Sequence, residues 1–314
     1  MRAFAVKELG QPGEVIELPD PQPAEGEVLV RIKAASVNPM DSFVASGGAA
    51  AWQETRTPLV PGIDGAGIVE QVAPGGNGFK VGDEVVVSAN QKSYWGDGTF
   101  AELVAVPHAG VFHKPAGLDD AAAATLPLAG PTALGIADQV EAGPGRIIAV
   151  LGATGGVGSW FTQIASQRGA TLIALVKPDN ADYARELGAA DVVDYTDPEA
   201  IARLSASYPE GIDAIADFTG SEDLISALAA HTKDGAALVS IGGMVDAEKW
   251  APLGLVAERG QKADLPRLNG LLEQLANGTL RAPEVRIVPL ERAGEALAEV
   301  SQRRTRGKVV VQID

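Results

Sequence analysis

A glycine-rich turn separates an apolar run from a helix-like run in VLGATGGVGSWFTQIASQRGA, residues 150–170. Its glycines recur at every third position, and a tight turn from a strand into a helix needs residues without a bulky Cβ. The N-terminus of the helix would offer N–H groups and the positive end of its dipole to a pyrophosphate. The pattern favours a dinucleotide site over a glycine turn without a ligand. The residues predicted to bind the dinucleotide here are Gly152, Ala153, Thr154, Gly155, Gly156, Val157 and Gly158.

The next apolar run, TLIALVKPDN at 171–180, bears on which dinucleotide is bound. A site that prefers NAD places Asp or Glu at the end of the second strand, where the carboxylate accepts the ribose hydroxyls. Here the run ends in Lys177, and the first carboxylate, Asp179, comes later. We predict that Lys177, helped by Tyr183 or Arg185, meets a 2′-phosphate and that the cofactor is NADPH. The alternative is that these charges are solvated surface residues.

Two patterns predict the elements that position this turn. Residues 1–110 contain short runs rich in Val and Ile, separated by Pro and Gly, which is typical of a barrel-like β domain. From Leu118 the chain is Ala-rich and helix-like, and from RIIAVLG onward strand-like and helix-like runs alternate. This alternation predicts a parallel, doubly wound sheet. The final run, GKVVVQI, fits a strand that returns to the β domain.

Two motifs end later strands of the predicted sheet, DFTG at 217–220 and SIGGM at 240–244. Ligands of such sheets bind at the carboxyl ends of the strands. The residues that we expect to line the nicotinamide ribose are Thr219, Gly220, Ile241, Gly242 and Gly243.

The amino-acid composition limits the classes of partner that the chain can bind. The 314 residues carry a formal net charge of −16, which disfavours binding to nucleic acid or to anionic lipid. There is no cysteine, and the three histidines lack the spacing of metal ligands, so we predict no metal site. No apolar run reaches the ~18 residues that a membrane span needs, and the N-terminus lacks the apolar core of a signal peptide. We expect a cytoplasmic protein.

Longer stretches resemble a known family. They include AASVNPMDSFVASG at 34–47, PLVPGIDGAGIVEQVAPGGNGFKVGDEVV at 58–86 and GTFAELVAVP at 98–107. In this order they resemble the zinc-independent, zeta-crystallin-like quinone oxidoreductases of the medium-chain dehydrogenase/reductase family. The resemblance implies an α/β fold and a homodimer. Its implied parts are a GroES-like β-barrel catalytic domain at 1–120, a Rossmann dinucleotide-binding domain with a doubly wound parallel sheet at 121–262, and a return to the catalytic domain at 263–314.

The chain differs from zinc-dependent relatives at the positions of their metal ligands. Those relatives carry a Cys near the position of Val37 and a His-Glu pair where this chain has Ile63-Asp64, and their four-cysteine lobe is absent here. The resemblance therefore implies reduction without zinc.

The resemblance also implies the residues of the reactive site. The Asn-x-x-Asp segment faces the nicotinamide in relatives, so Asn38 and Asp41 are the catalytic candidates. Asn38 would donate its amide N–H to the acceptor oxygen, and the alternative for Asp41 is that it orders the loop. Thr132 is a candidate for contact with the nicotinamide, with a helix cap as the alternative.

Aromatic residues are the candidates for the substrate pocket. Phe43 replaces a tyrosine that many relatives carry, which removes a proton donor. Tyr94 and Trp95, in the loop-like NQKSYWGDGTF at 90–100, would wall a pocket for a flat substrate, or else anchor the loop by packing.

Without a metal, the simplest chemistry is direct transfer of hydride from the nicotinamide to an electron-poor acceptor. A quinone or another electrophilic carbonyl compound is such an acceptor. We therefore predict an NADPH-dependent quinone oxidoreductase. The alternatives are an enone or enoyl reductase, which reduces a carbon–carbon double bond, and a non-catalytic protein that senses NADPH.

Overall fold

The computed structural model describes residues 1–242, 245–303 and 305–313. The chain separates into two compact units. The first unit contains Met1–Leu128 and the residues from Leu265 onward, and the second unit is Ala129–Asp264. The chain therefore leaves the first unit once and later returns to it.

Most of the strands belong to the first unit. The strands are β1 (Arg2–Ala5), β2 (Glu14–Glu17), β3 (Glu27–Ser36), β4 (Glu54–Val60), β5 (Asp64–Val72), β6 (Glu84–Ser88), β7 (Tyr94–Asp97), β8 (Leu103–Pro107), β9 (Val111–His113), β10 (Ile147–Leu151), β11 (Thr171–Val176), β12 (Asp191–Asp194), β13 (Ile212–Asp217), β14 (Thr232–Ser240), β15 (Leu255–Arg259), β16 (Val285–Pro289) and β17 (Lys308–Gln312).

Most of the helices lie in or after the middle of the chain. The helices are α1 (Pro39–Ala45), α2 (Asp120–Ala124), α3 (Ala129–Gln139), α4 (Gly158–Gln167), α5 (Ala181–Glu186), α6 (Pro198–Ala202), α7 (Leu204–Ser207), α8 (Glu222–Ala229), α9 (Ala247–Trp250), α10 (Leu268–Ala276) and α11 (Ala293–Ser301). Short 3₁₀ turns lie at His108–Gly110, Pro178–Asn180, Ala251–Leu253, Leu265–Arg267 and Leu290–Arg292.

Strand β3 organises the first unit. It runs antiparallel to β5, β8 and β17, and the main sheet has the order β16-β17-β3-β5-β6-β9. Alternating apolar residues of β3 enter the main core of the unit, and Leu29 packs with Leu103 and Ala105 in a second, smaller cluster. The C-terminal strand β17 pairs Val310 with Ser36, which places the start of β17 beside the residues that connect β3 to α1.

The second unit is built on a parallel sheet of order β12-β11-β10-β13-β14-β15. Strands β10, β11 and β13 are almost wholly buried, which explains their nearly continuous apolar sequences. The strand order reverses at β10, and the carboxyl end at such a reversal is where open α/β sheets bind ligands. The predicted α/β class with a parallel sheet is confirmed.

Several local expectations differ from the structure. Residues 94–97 form strand β7, not a loop, because Tyr94 and Trp95 pair in parallel with Glu54 and Thr55 of β4. Helix α2 contacts β3 and β5, so the first unit extends to Leu128 and not to residue 120. Within the described ranges, no helix combines the length and the apolarity that a membrane span requires.

Candidate functional site

A cluster of buried polar side chains lies where three strands and a helix of the first unit meet. Asn38 precedes α1, Asp41 lies in the first turn of α1, Asp64 begins β5 and Lys308 begins β17. None of the four is more than 4% exposed. Charged and amide groups are buried at this level only when they are paired, so their partners determine what the cluster can do.

Both ends of the Asn38 amide are engaged within the protein. Lys308 Nζ donates to Asn38 Oδ1 at 2.6 Å and to the Val37 carbonyl at 3.1 Å. Asn38 Nδ2 donates to Asp64 Oδ2 at 2.9 Å and to the Ser36 carbonyl at 3.3 Å. These contacts conflict with the expected donation from Asn38 to an acceptor oxygen, because the amide N–H groups already have partners. The geometry instead suits Asn38 as a residue that orients its neighbours.

Asp41 combines burial with incomplete hydrogen bonding. Its Oδ2 accepts a hydrogen bond of 2.7 Å from the backbone N–H of Asn38, whereas its buried Oδ1 accepts no well-formed hydrogen bond from the described residues. Burial, and to a smaller extent the charge of Asp64, raises the pKa of Asp41 to about 7, against the opposing effects of the Asn38 N–H and Lys308. Asp41 therefore holds an exchangeable proton near neutral pH.

Asp41 lines a pocket together with two of the predicted substrate residues. The space between its walls is about 310 Å³, a volume that includes open solvent. Its walls come from α1, from β7 and from the segment between β4 and β5. The structure thus brings Asp41 together with Tyr94 and Trp95. Phe43 is not part of this lining; it is partly exposed and packs against Trp52, with ring centroids 5.0 Å apart.

The hydroxyl of Tyr94 is held by charged neighbours. It donates to Asp97 Oδ2 at 2.5 Å and accepts from Lys92 Nζ at 3.2 Å. The guanidinium of Arg56 lies 3.5 Å from the centroid of the ring. Burial and the hydrogen bond to Asp97 raise the pKa of Tyr94. Tyr94 is therefore a neutral, rigid side chain, and its ring is the part that shapes the pocket.

The glycine-rich turn of the second unit connects β10 to α4 as predicted from its spacing. Gly152 has a φ of +79°, which disfavours side chains at this position. A Cβ on Gly158 would lie 2.0 Å from the Gly152 carbonyl oxygen, so only glycine allows α4 to begin this close to β10. Gly155, Gly156 and Val157 are partly exposed at the start of α4. This turn fits a pyrophosphate at the helix N-terminus.

The ends of β13 and β14 are tied together by Asp217. This buried carboxylate accepts hydrogen bonds from the Thr219 N–H at 2.9 Å, from the Thr219 hydroxyl at 2.7 Å and from Ser240 Oγ at 2.6 Å. It also accepts from the Gly220 N–H, while Ser240 Oγ accepts from the Gly242 N–H at 3.1 Å.

This connection brings the predicted residues at the two strand ends into contact. The backbones of Gly220 and Gly242 approach so closely that a Cβ on Gly220 would lie 2.4 Å from the Gly242 carbonyl oxygen. Thr219 and Ile241 flank this contact, and Gly243 lies outside the described residues. The sequence reasoning missed Asp217 and Ser240, although a carboxylate at the end of an apolar strand was a visible signal.

The remaining predicted cofactor residues lie apart from this contact. Thr132 lies on α3, which packs against α4. Lys177 is exposed directly after β11, and Tyr183 is partly buried on α5. Asp194, which the sequence reasoning did not consider, pairs in register with Val176 at the end of β12. A carboxylate therefore does lie near the tip of β11, but it accepts hydrogen bonds from the N–H and the hydroxyl of Thr196.

The chain matches described families over much of its length. Residues 24–116 match the alcohol dehydrogenase GroES-like domain, and residues 187–311 match the zinc-binding dehydrogenase family. The chain is 31% identical over 198 residues to a quinone-oxidoreductase of Triphysaria versicolor; the alignment covers 61% of this chain and 59% of that relative's length. It is 32% identical over 301 residues to an NADPH-dependent alkenal/one oxidoreductase of Arabidopsis thaliana, covering 93% of this chain and 73% of the relative.

A solved structure is similar over the full length of both chains. It is described as an NAD-dependent alcohol dehydrogenase and superposes with a TM-score of 0.89 at 31% identity. The names of these similar proteins therefore differ in cofactor and in substrate.

The described residues do not fit a zinc site, although one matched family is named for zinc. They contain no group of three or more His, Cys, Asp or Glu side chains arranged to hold a metal ion, and the chain has no cysteine. Val37 and Ile63 are apolar, and Asp64 accepts a hydrogen bond from Asn38.

The family follows from three observations. The parallel sheet carries its glycine turn at the point of strand reversal, the first unit matches a GroES-like domain, and relatives align over most of the chain. The chain belongs to the medium-chain dehydrogenase/reductase family of pyridine-nucleotide-dependent oxidoreductases.

Proposed function

We propose that this chain reduces a quinone with NADPH and that Asp41 supplies the proton. The observation that carries the proposal is the position of Asp41, a buried carboxyl group that lines a pocket with two aromatic side chains. Burial raises its pKa to about 7, so the carboxyl group can still hold a proton near neutral pH. A general acid works best with a pKa near the operating pH.

The reaction balances with one hydride and one proton. When bound, the reduced nicotinamide supplies hydride, so that quinone, NADPH and H⁺ give hydroquinone and NADP⁺. The chain must exclude water, orient the acceptor and deliver the proton. Hydride transfer leaves the quinone as a hydroquinone monoanion, and Asp41 delivers the proton to its negatively charged oxygen. Asp41 is then reprotonated from solvent through the open side of the pocket. The rings of Tyr94 and Trp95 orient a flat acceptor.

The second unit holds the cofactor in this proposal. The turn from Gly152 to Gly158 receives the pyrophosphate. Lys177 and Tyr183 receive the 2′-phosphate of NADPH, because no carboxylate at the end of β11 itself would repel it. The residues proposed for the nicotinamide end are Thr132, Thr219, Gly220, Ile241, Gly242 and Gly243.

A second candidate function is the reduction of an enone. The relative named as an alkenal/one oxidoreductase aligns over 93% of this chain. Hydride would go to the β-carbon of the enone and the proton of Asp41 to the α-carbon, so the same buried carboxyl group serves either acceptor.

The test compares acceptors and cofactors with the purified chain. NADPH and NADH oxidation are measured side by side with 1,4-benzoquinone, 9,10-phenanthrenequinone and 1-octen-3-one. Turnover of the quinones that is faster with NADPH supports the proposal, and turnover of the enone alone supports the second candidate. Tight NADPH binding without turnover of any acceptor would contradict both and favour a sensor of NADPH.

A further inference from the structure

Lys308 is a buried ammonium group for which the proposed reaction has so far required no role. As the first residue of β17, it lies beside the segment that joins β3 to α1, because Val37 N–H donates to the Val309 carbonyl at 2.9 Å. Its side chain crosses to Asn38 Oδ1 at 2.6 Å and to the Val37 carbonyl at 3.1 Å. It therefore connects the C-terminal strand to Asn38, whose backbone N–H donates to the pocket residue Asp41.

Burying this positive charge is energetically unfavourable unless neighbouring groups pair with it. Burial lowers the pKa of Lys308, and the charges of Asp64 and Asp41 oppose that effect. An apolar side chain of similar length would fill the same space without the desolvation cost of an ammonium group. Packing alone therefore does not account for a lysine here, whereas an effect on the amide and the carboxyl groups does.

The contacts define what Lys308 does to Asn38. The ammonium can only donate hydrogen bonds, so it requires the amide oxygen, not the amide nitrogen, to face it. The amide nitrogen then faces Asp64 and donates to it, which stabilises the ionised form of that carboxylate. Of two neighbouring buried carboxyl groups, the one with the better donors loses its proton first.

We propose that Lys308 is a positioning residue of the reductive site, whose ammonium fixes the Asn38 amide and keeps Asp64 ionised, so that Asp41 at the pocket carries the transferable proton. This inference rests on the function proposed above. Without the ammonium, the amide is free to turn, its oxygen can accept from a protonated Asp64, and the proton then resides away from the pocket.

Other charged groups near the pocket form pairs of their own. On β7, Asp97 pairs with Lys92 at 3.0 Å and accepts from Tyr94. The charged pairs on the helices that pack nearby are Lys114 with Asp120 at the start of α2, and Arg292 with Glu295 and Arg286 with Glu299 on or beside α11. A substitution of Lys308 is therefore expected to change how Asp41 and Asp64 bind protons, and these two carboxyl groups titrate as a pair.

The experiment compares Lys308→Met, Lys308→Gln and Lys308→Arg with Lys7→Met, a control at a surface pair with Glu14 in the same unit. We expect Lys308→Met to lower kcat for quinone reduction about 10-fold or more, with the Kd for NADPH within about twofold of wild type. The alkaline limb of the pH profile should move up by about one unit, because a nearby positive charge favours ionised carboxylates. Lys308→Arg should restore part of the rate, and Lys308→Gln should not.

An infrared titration makes the inference independent of turnover. In the wild type, the band of a protonated carboxyl group near neutral pH should disappear in Asp41→Asn and persist in Asp64→Asn. In Lys308→Met, this band should weaken and a band that depends on Asp64 should appear, because the proton then resides on Asp64. If Lys308→Met does not fold, the same bands are compared between wild type and Lys308→Arg or Lys308→Gln.

The outcomes separate the two proposals. A wild type that turns over no acceptor overturns the proposed function, and the infrared bands still decide the role of Lys308. If the folded Lys308 variants have the same infrared bands and the same pH profile as wild type and Lys7→Met, the inference is wrong, even if quinone reduction is fast.

Discussion

At Asp41, two physical effects act in opposite directions on one carboxyl group. Burial favours the neutral form, whereas the Asn38 N–H and Lys308 favour the ionised form. Burial prevails, and the proton is held at a pocket whose other walls are largely apolar or aromatic. A carboxyl group of this kind can act as an acid only while it is protonated, which gives the proposed reaction a defined dependence on pH.

Lys177 carries the predicted preference for NADPH. We expect Lys177→Ala to lower kcat/KM with NADPH about 10-fold and to leave NADH within about twofold, because an exposed cation would contact only the 2′-phosphate. Steady-state rates with both cofactors measure the ratio. Lys249→Ala, at a surface pair with Glu222 in the same unit, is the control. An unchanged ratio in Lys177→Ala would contradict the assignment, and Asp194→Asn would then show whether the carboxylate beside Val176 sets the preference instead.

Contacts between residues far apart in the sequence could not be predicted. The types and spacing of Asn38 and Asp41 were visible in the sequence, but the contact that occupies the Asn38 amide comes from Lys308, 270 residues later. The placement of Asp217 against Ser240 likewise depends on two strands that are neighbours only in the folded sheet. Long-range pairing of this kind leaves no local pattern, so the roles of these residues could not be predicted.

At the scale of elements, local patterns were more informative. The turn before α4 was predictable because a steric requirement fixes its glycines at fixed spacing. Strand β7 was not, because the partner that stabilises it, β4, has a sequence without clear strand alternation. Helix α2 was recognised as helical, but its Ala-rich sequence does not indicate which unit it packs against.

The start of α4 provides a steric test. We expect Gly158→Ala to lower the thermal unfolding temperature and to weaken NADPH binding about 10-fold or more, because its Cβ would lie 2.0 Å from the Gly152 carbonyl oxygen and would push α4 away from β10. Melting curves and a fluorescence titration with NADPH measure the two effects. Gly143→Ala is the matched control, since its Cβ would lie 3.8 Å from the nearest atom. If Gly158→Ala binds NADPH as well as the control does, the turn does not receive the pyrophosphate.

For the whole molecule, the raised pKa of Asp41 links stability to pH. The folded state holds this proton more tightly than the unfolded chain, whose carboxyl group has its ordinary pKa near 3.8. The stabilising contribution is therefore complete below about pH 4 and is lost as the pH rises through about 7.

We expect the unfolding free energy of wild type, minus that of Asp41→Asn, to fall by up to roughly 4 kcal/mol across this window. Urea unfolding of both proteins at several pH values measures the difference, and a constant difference would show that Asp41 is ionised throughout.

The pH dependence of quinone reduction shows whether Asp41 supplies the proton. The steady-state rate of NADPH oxidation with 1,4-benzoquinone is recorded for wild type and Asp41→Asn from mildly acidic to mildly alkaline pH, with Asp20→Asn as an exposed control. We expect kcat of the wild type and of the control to fall as the pH rises through about 7. We expect Asp41→Asn to be slower by about 10-fold or more at low pH and to show no such fall. An Asp41→Asn variant with the rate and the pH profile of wild type would show that the proton comes from elsewhere.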